Sequence, residues 1–295
     1  MMKHMTTLLL LLFLLAPAAH SKVSVITSTA DLAWFAKQIG GEEVSVDNIA
    51  SPTADIHFVE IRPSFMVKVA RADLALKVGL ELDMWMDRII DGSRNSDLVI
   101  VDCSRYIEPL EVPTFKADAR YGDLHRFGNP HYWLGPQNLE PITQAIVEGL
   151  SEAAPEHADQ FAANRDRLLD EINRGLEALQ GKLERLDGVQ AIFYHNSWPY
   201  FNEYTGIEAV EFIEPYPGVP PSPSHVKKLI DLVAEREIPV IGIEPYFDPR
   251  VPNKVASKSN ATVVTLYPSI GGRNSDESYL EWFEGNVDAL LEALR

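Results

Sequence analysis

The chain has a single cysteine, Cys103, among its 295 residues. No intrachain disulfide can form, whatever the redox state of the compartment. A thiolate zinc site needs several cysteines, so any metal held here must be bound through nitrogen and oxygen. Cys103 follows the apolar run Leu98–Val101 and reads as a small buried residue at a strand end. Basic residues are also short: 26 Lys and Arg against 43 Asp and Glu give a net charge of −17. That balance argues against nucleic-acid partners, whose phosphates favour basic surfaces, and is compatible with drawing in cations. No His-Glu-x-x-His motif occurs, and Gly271-Gly272 lacks the Lys-Ser/Thr of a phosphate loop. Neither Ser197 nor Ser269 sits in a nucleophile elbow. Internal repeats, His-rich tracts and low-complexity linkers are likewise missing.

What the chain does carry begins with an export signal. Lys3 and His4 precede an unbroken apolar run from Leu8 to Leu15, and Ala16-Pro17-Ala18-Ala19-His20-Ser21 supplies small residues for cleavage. The run is shorter than the roughly 20 residues that a membrane span needs. Residues 1–21 are therefore expected to leave as a signal peptide, with the mature protein starting near Lys22 in the periplasm. No cysteine follows the run, so no lipid anchor is expected at this site.

Short apolar runs then alternate with helical patterns. Strands are expected at Val23–Thr27, Val44–Ile49, Leu74–Val78 and Leu98–Val101, with helices over Thr29–Ile39, Ser64–Ala70 and Leu82–Ile90. Alternation of this kind implies parallel sheet with crossover helices. Between Glu156 and Leu186 the pattern becomes one long period of threes and fours: Phe161, Leu168, Ile172, Leu176, Leu179, Leu183, Leu186. A single helix of that span would exceed about 40 Å. An ordinary surface helix would show the same period; a rod joining two lobes accounts better for its length. A second alternating block follows, with strands at Ala191–Tyr194, Ile207–Phe212, Val240–Glu244 and Thr262–Leu266, and helices near Ser224–Arg236, Pro249–Ser259 and Ser278–Leu294. The expected architecture is α/β: a parallel-sheet lobe over 22–154, a bridging helix over 155–187, and a second parallel-sheet lobe over 188–295.

Four histidines are candidates for chemistry. His57, His131 and His195 each lie just beyond an expected strand or in a loop before a helix, and His125 lies in a neighbouring loop. Ligands of open α/β sheets bind beyond the carboxyl ends of strands, so histidines from both blocks could meet in a cleft between lobes. Neutral imidazole suits zinc. No pair has the i, i+4 spacing of a helical metal motif, so spacing alone leaves a metal site open rather than implied. His157 and His225 fall on expected helix starts, where a solvated histidine is ordinary.

Three segments carry a resemblance. Asp55-Ile-His57 with Arg62-Pro-Ser64 and Arg71-Ala-Asp73-Leu74 is one; Asn129-Pro-His131-Tyr-Trp-Leu134-Gly-Pro-Gln-Asn138 is the second. The third is Tyr194-His195-Asn-Ser-Trp-Pro-Tyr-Phe201, ending at Tyr204-Thr-Gly206. In order along nearly the whole mature chain, they resemble the three ligand segments of the TroA-like zinc and manganese receptors of ABC transporters. The resemblance implies two α/β lobes bridged by one long helix, with His57, His131 and His195 as ligands. Family members often place an Asp after the last strand, but this chain has Pro268 there, in Thr265-Leu-Tyr-Pro268-Ser-Ile-Gly-Gly272. Glu244, ending the strand Val240–Glu244, is the substitute, either as fourth ligand or as a carboxylate orienting a histidine. Asp276, His125 and water are the other options for that position.

The implied function is capture of a divalent transition metal in the periplasm and delivery to an ABC transporter permease, without catalysis. Zn²⁺ is the expected ion, with Mn²⁺ or Fe²⁺ as alternatives. The permease and a periplasmic metallochaperone are the expected protein partners. The rival of another class is a periplasmic zinc-dependent hydrolase, in which three histidines hold a zinc whose bound water is activated.

Overall fold

A computed structural model describes residues 22–114 and 125–295. Residues 1–21, where the signal peptide is expected, and residues 115–124 lie outside the described residues. The first lobe is built on strands β1 (Val23–Thr27), β2 (Val44–Asn48), β3 (Leu74–Lys77) and β4 (Val99–Asp102). They pair in the order β2-β1-β3-β4, every pair parallel. Helices α1 (Ala30–Gly40), α2 (Pro63–Val69), α3 (Met84–Ser93) and α4 (Leu139–Ala153) belong to this lobe. Next come α5 (Ala158–Ala178) and the short α6 (Gln180–Leu183). The second lobe has β5 (Gln190–Phe193), β6 (Glu208–Phe212), β7 (Val240–Ile243) and β8 (Thr262–Thr265), with α7 (Pro199–Thr205), α8 (Pro223–Arg236), α9 (Arg250–Ala256) and α10 (Tyr279–Ala293). Its order, β6-β5-β7-β8, again all parallel, repeats that of the first sheet. The fold is thus duplicated although the sequence shows no repeat.

Local chemistry explains the element ends. Thr29 caps α1 by accepting the Leu32 amide, and Ser222 caps α8 by accepting that of His225. Ser278 and Glu281 form a reciprocal capping box at the start of α10. The central strands β3 and β7 are almost continuously apolar and buried, as strands covered on both faces must be. Cys103 follows β4 and is fully buried, as its context implied.

The long apolar period resolves into two pieces rather than one rod. Helix α5 has 21 residues, about 30 Å, and its regular hydrogen bonding is interrupted at Leu179, whose backbone stays in the helical region, before α6 resumes. Leu176, Leu179, Leu183 and Leu186 nevertheless all stay buried. Gly181 follows the break, and glycine is among the weakest helix formers. Early in α5, Asn164 donates to the Ile39 carbonyl and Arg165 to Thr143, both in the first lobe. Beyond the break, Lys182 binds Glu284 and Asp288 on α10 of the second. The connection therefore bridges the lobes as expected, with a broken turn.

The lobes are also joined directly. One apolar core runs through both sheets and α5, from Phe35 and Leu76 to Trp198 and Trp282. The Tyr200 hydroxyl accepts from the Leu110 amide and donates to the Asn129 carbonyl, and the Trp133 indole donates to the Pro268 carbonyl. Asp31, at the start of α1 and 1% exposed, accepts from the Ser269 hydroxyl and the Ile270 amide of the second lobe. Burial raises its carboxyl to about 7 against those two hydrogen bonds, with the Glu277 charge adding to the rise. A carboxyl raised above its unfolded value binds more protons when folded, so its contribution to stability falls as pH climbs from about 4 through 7. Asp31→Asn should therefore gain stability relative to wild type over that window. Parallel denaturation midpoints from pH 4 to 8 would check it, and a pH-independent difference between the two proteins counts against this account.

Candidate metal centre

All three histidines lie beyond the carboxyl ends of parallel strands. His57 lies in the loop after β2, His131 in the connection after β4, and His195 two residues after β5. The structure brings them together: one nitrogen from each lies within 4.8 Å of the other two. The ring centres stand 5.2 Å apart for His57–His131, 5.0 Å for His57–His195 and 5.5 Å for His131–His195. Two imidazoles on one tetrahedral zinc, with Zn–N bonds of about 2.0–2.1 Å, place their ring centres roughly 5 Å apart. The trio is spaced for a single ion.

Each ring is also oriented. The Asp55 carboxylate accepts from the His57 backbone amide at 3.0 Å and holds its Nδ1 at 2.8 Å. Asn129 repeats the device two residues before His131, its Oδ1 accepting from the amide at 3.1 Å and holding Nδ1 at 3.0 Å. Glu214, just past β6, holds His195 Nδ1 at 3.0 Å. A carboxylate only accepts, so Nδ1 carries the proton and Nε2 keeps its lone pair for a metal. Carboxylate or amide acceptors behind metal-binding histidines fix both tautomer and ring direction. Asp55 and Asn129 stand inside the segments already singled out, and the shared Asx-x-His spacing is the signal that could have assigned them. Glu214 has no such local signal, because it reaches His195 only through the β5–β6 pairing.

Burial sets the electrostatics. His131 is 3% exposed, and burial, followed by the neighbouring histidines, holds its pKa well below the ordinary value. The ring is neutral and ready to coordinate at physiological pH. For Asp55, burial pushes upward, but the hydrogen bonds and charge of His57 outweigh it and the carboxyl is lowered overall.

The remaining candidates are placed differently. Glu244 directly follows β7 and is 1% exposed, yet it is not part of the 4.8 Å group. Its Oε1 accepts from the Ser197 hydroxyl at 2.8 Å and the Trp198 indole at 3.0 Å, while Oε2 is buried with no hydrogen-bond partner. The orienting of a histidine, one of the two roles expected of Glu244, is carried out by Glu214 instead. Burial raises the Glu244 carboxyl to about 7. Asp276 is exposed on the loop before α10 and is not in the group. His125 is outside the trio but stacks on His57, with ring centres 5.5 Å apart. His225 is half-buried on α8, its Nε2 at 2.9 Å from the Phe212 carbonyl rather than free in solvent.

Two parallel α/β lobes closing on an oriented histidine trio define a metal-receiving solute-binding protein of an ABC transporter. The chain belongs to the family described as zinc-uptake complex component A, periplasmic, whose model matches residues 25–293. It is 24% identical over 277 residues to the manganese-binding lipoprotein MntA of Halalkalibacterium halodurans, covering 92% of this chain and 88% of that one. It is 23% identical over 302 residues to the high-affinity zinc uptake system protein ZnuA of Yersinia pestis, covering 96% and 95%. A solved structure described as the crystal structure of ZnuA shares the fold at a TM-score of 0.77 and 24% identity, covering 93% of this chain and 98% of the other.

Proposed function

We propose that this protein captures Zn²⁺ through His57, His131 and His195 and hands it to the permease of its transporter. The observation that carries the reading is the donor set: three imidazoles spaced for one ion, each Nδ1 occupied by an oxygen acceptor. A nitrogen-rich site favours zinc over the harder manganese ion, which prefers carboxylate and water oxygen. Three neutral rings leave the ion's +2 charge uncompensated, and Asp55, Glu214 and the buried Glu244 supply negative charge around it. Glu244, whose carboxyl is raised to about 7 by burial, adds its charge through its unpartnered Oε2 as the arriving cation favours the ionised form.

The buried, interlobe position of the trio supports retention of the ion rather than turnover of a substrate. With the lobes sewn together by Asp31, Trp133 and Tyr200, release proceeds by small lobe shifts and loop motion rather than by wide hinge opening. The protein acts free in the periplasm, without a lipid anchor, as the cysteine-free stretch after Leu15 supports.

Competition titration against a chelating dye should give one tight zinc ion per chain, with zinc displacing manganese at equal concentration. A stoichiometry near zero, or manganese prevailing, overturns the proposal. The zinc-loaded protein should show no ester or phosphoester hydrolysis above background; hydrolysis that disappears in His195→Ala would establish the enzymatic rival instead.

A further inference from the structure

A zinc ion on three histidines retains one open position in its tetrahedron. His125 stands beside the trio. It is 8% exposed, and its Nε2 is buried with no hydrogen-bond partner. Buried polar atoms without partners are rare and costly, and such an atom marks a missing ligand or a function. Among the described residues, the histidine nitrogens in this condition belong to His57 and His125, whose rings are stacked at 5.5 Å and 29°. His125 also meets His131 edge-on, at 6.5 Å between ring centres. With His131 and His195 it lines one half-open cavity of about 210 Å³, whose other walls include Glu111, Asn129 and Pro217.

The segment carrying His125 is tethered from the side. The Arg126 amide donates to Glu81 Oε2 at 3.1 Å, and its guanidinium donates to both Glu81 oxygens through Nε and Nη2. Glu81 reaches that position from an unusual backbone run after β3, with φ of 84° at Gly79, 50° at Leu80 and 68° at Glu81. Left-handed conformations at Leu and Glu are unfavourable and persist where the surroundings impose them. Here they turn the Glu81 carboxylate toward Arg126, on the same side of the first lobe as His57, which shares a surface cavity with Glu81.

We propose that His125 is the fourth nitrogen ligand of the captured ion and that the Glu81–Arg126 pair is the latch that keeps it in place. The inference rests on the zinc reading of the trio. Its ring lies farther from His131 than the three trio rings lie from one another, so the incoming ion draws it inward to complete the tetrahedron. Opening the latch frees the segment after residue 124, lowers the coordination from four nitrogens to three, and loosens the ion for transfer.

X-ray absorption at the zinc edge of the wild-type protein loaded with zinc alone decides the first part. Four imidazoles are expected; three, with oxygen in the fourth place, overturn the proposal. Chelator competition should show zinc affinity falling in His125→Ala by more than the roughly 10–100-fold typical of an outer partner. Glu81→Gln should accelerate zinc dissociation to a chelator about tenfold or more, with four imidazoles still present in the bound state. Wild-type affinity in His125→Ala and a wild-type off-rate in Glu81→Gln overturn both parts while leaving the trio intact. If His131→Ala keeps wild-type affinity, it is the underlying zinc reading that has failed. The absorption measurement needs no variant, so a misfolded substitution does not remove the test.

Discussion

Replacing His131 by alanine should lower zinc affinity by well over 100-fold and leave the metal-free fold in place. Removing an acceptor behind a metal-binding histidine costs about 10–100-fold, and loss of a direct ligand exceeds that. His131 is the most enclosed ring of the trio, and alanine offers the ion no donor in its place. The ring is neutral and buried, so its loss removes no ion pair from the apo protein. Asn129→Ala supplies the graded control, since Asn129 holds the His131 amide and Nδ1 together and should fall in the 10–100-fold range. Thermal unfolding with and without zinc gives a second readout. A ligand that binds only the folded state raises the midpoint, and that rise should vanish in His131→Ala. A midpoint rise equal to that of wild type contradicts the assignment.

Trp133→Ala should produce the largest loss of stability. Trp133 is 3% exposed, packs at 5.4 Å from the His131 ring, and donates to the Pro268 carbonyl across the lobe interface. Truncating a buried tryptophan costs about 3–5 kcal/mol through lost burial and the cavity left behind. The Pro268 carbonyl also loses its partner, which adds to the cost where water cannot replace it. For a chain of this size the melting point should fall on the order of 10 °C. Zinc affinity should fall as well, because Trp133 forms one wall of the His131 seat. Trp133→Phe keeps the ring volume in large part but not the donor, so it separates packing from the interlobe hydrogen bond. An unchanged midpoint in Trp133→Ala means that the interlobe contact carries no stability.

Much of this molecule was legible in the residues. Strands β3 and β7 fall within one residue of their apolar runs, because a parallel strand covered on both faces is apolar almost throughout. The capped helices were legible for the same kind of reason: Thr29 and Ser278 carry the start signal in their own side chains. His57 and His195 could be put forward because they follow strand ends, where parallel sheets present their ligands, and the resemblance of their segments and of the His131 segment to one receptor family singled out the trio. The two-residue spacing that seats His57 and His131 is equally local.

Other features arise only when distant segments meet. Leu179 continues the apolar period without a flaw, yet regular helical bonding is interrupted there; Asn164 and Arg165 bind the first lobe while Lys182 binds α10, and periodicity says nothing of which lobe each end of the connection meets. Glu214 orients His195 across 19 residues of chain, through strand pairing that no local pattern encodes. Glu244 reads as a ligand or an orienting carboxylate from its place at a strand end, but the Ser197 hydroxyl and the Trp198 indole hold one of its oxygens and it lies outside the trio. The sequence by itself determined the compositional limits on the metal's donors, the alternating α/β order and the residues offered to the cleft, since these depend on side-chain type and on neighbours a few positions away. Only the tertiary structure decided which nitrogens converge, which oxygens orient them and how tightly the lobes are sewn. Those are distances between segments far apart in the chain, set by packing and sheet pairing rather than by any residue's own preference.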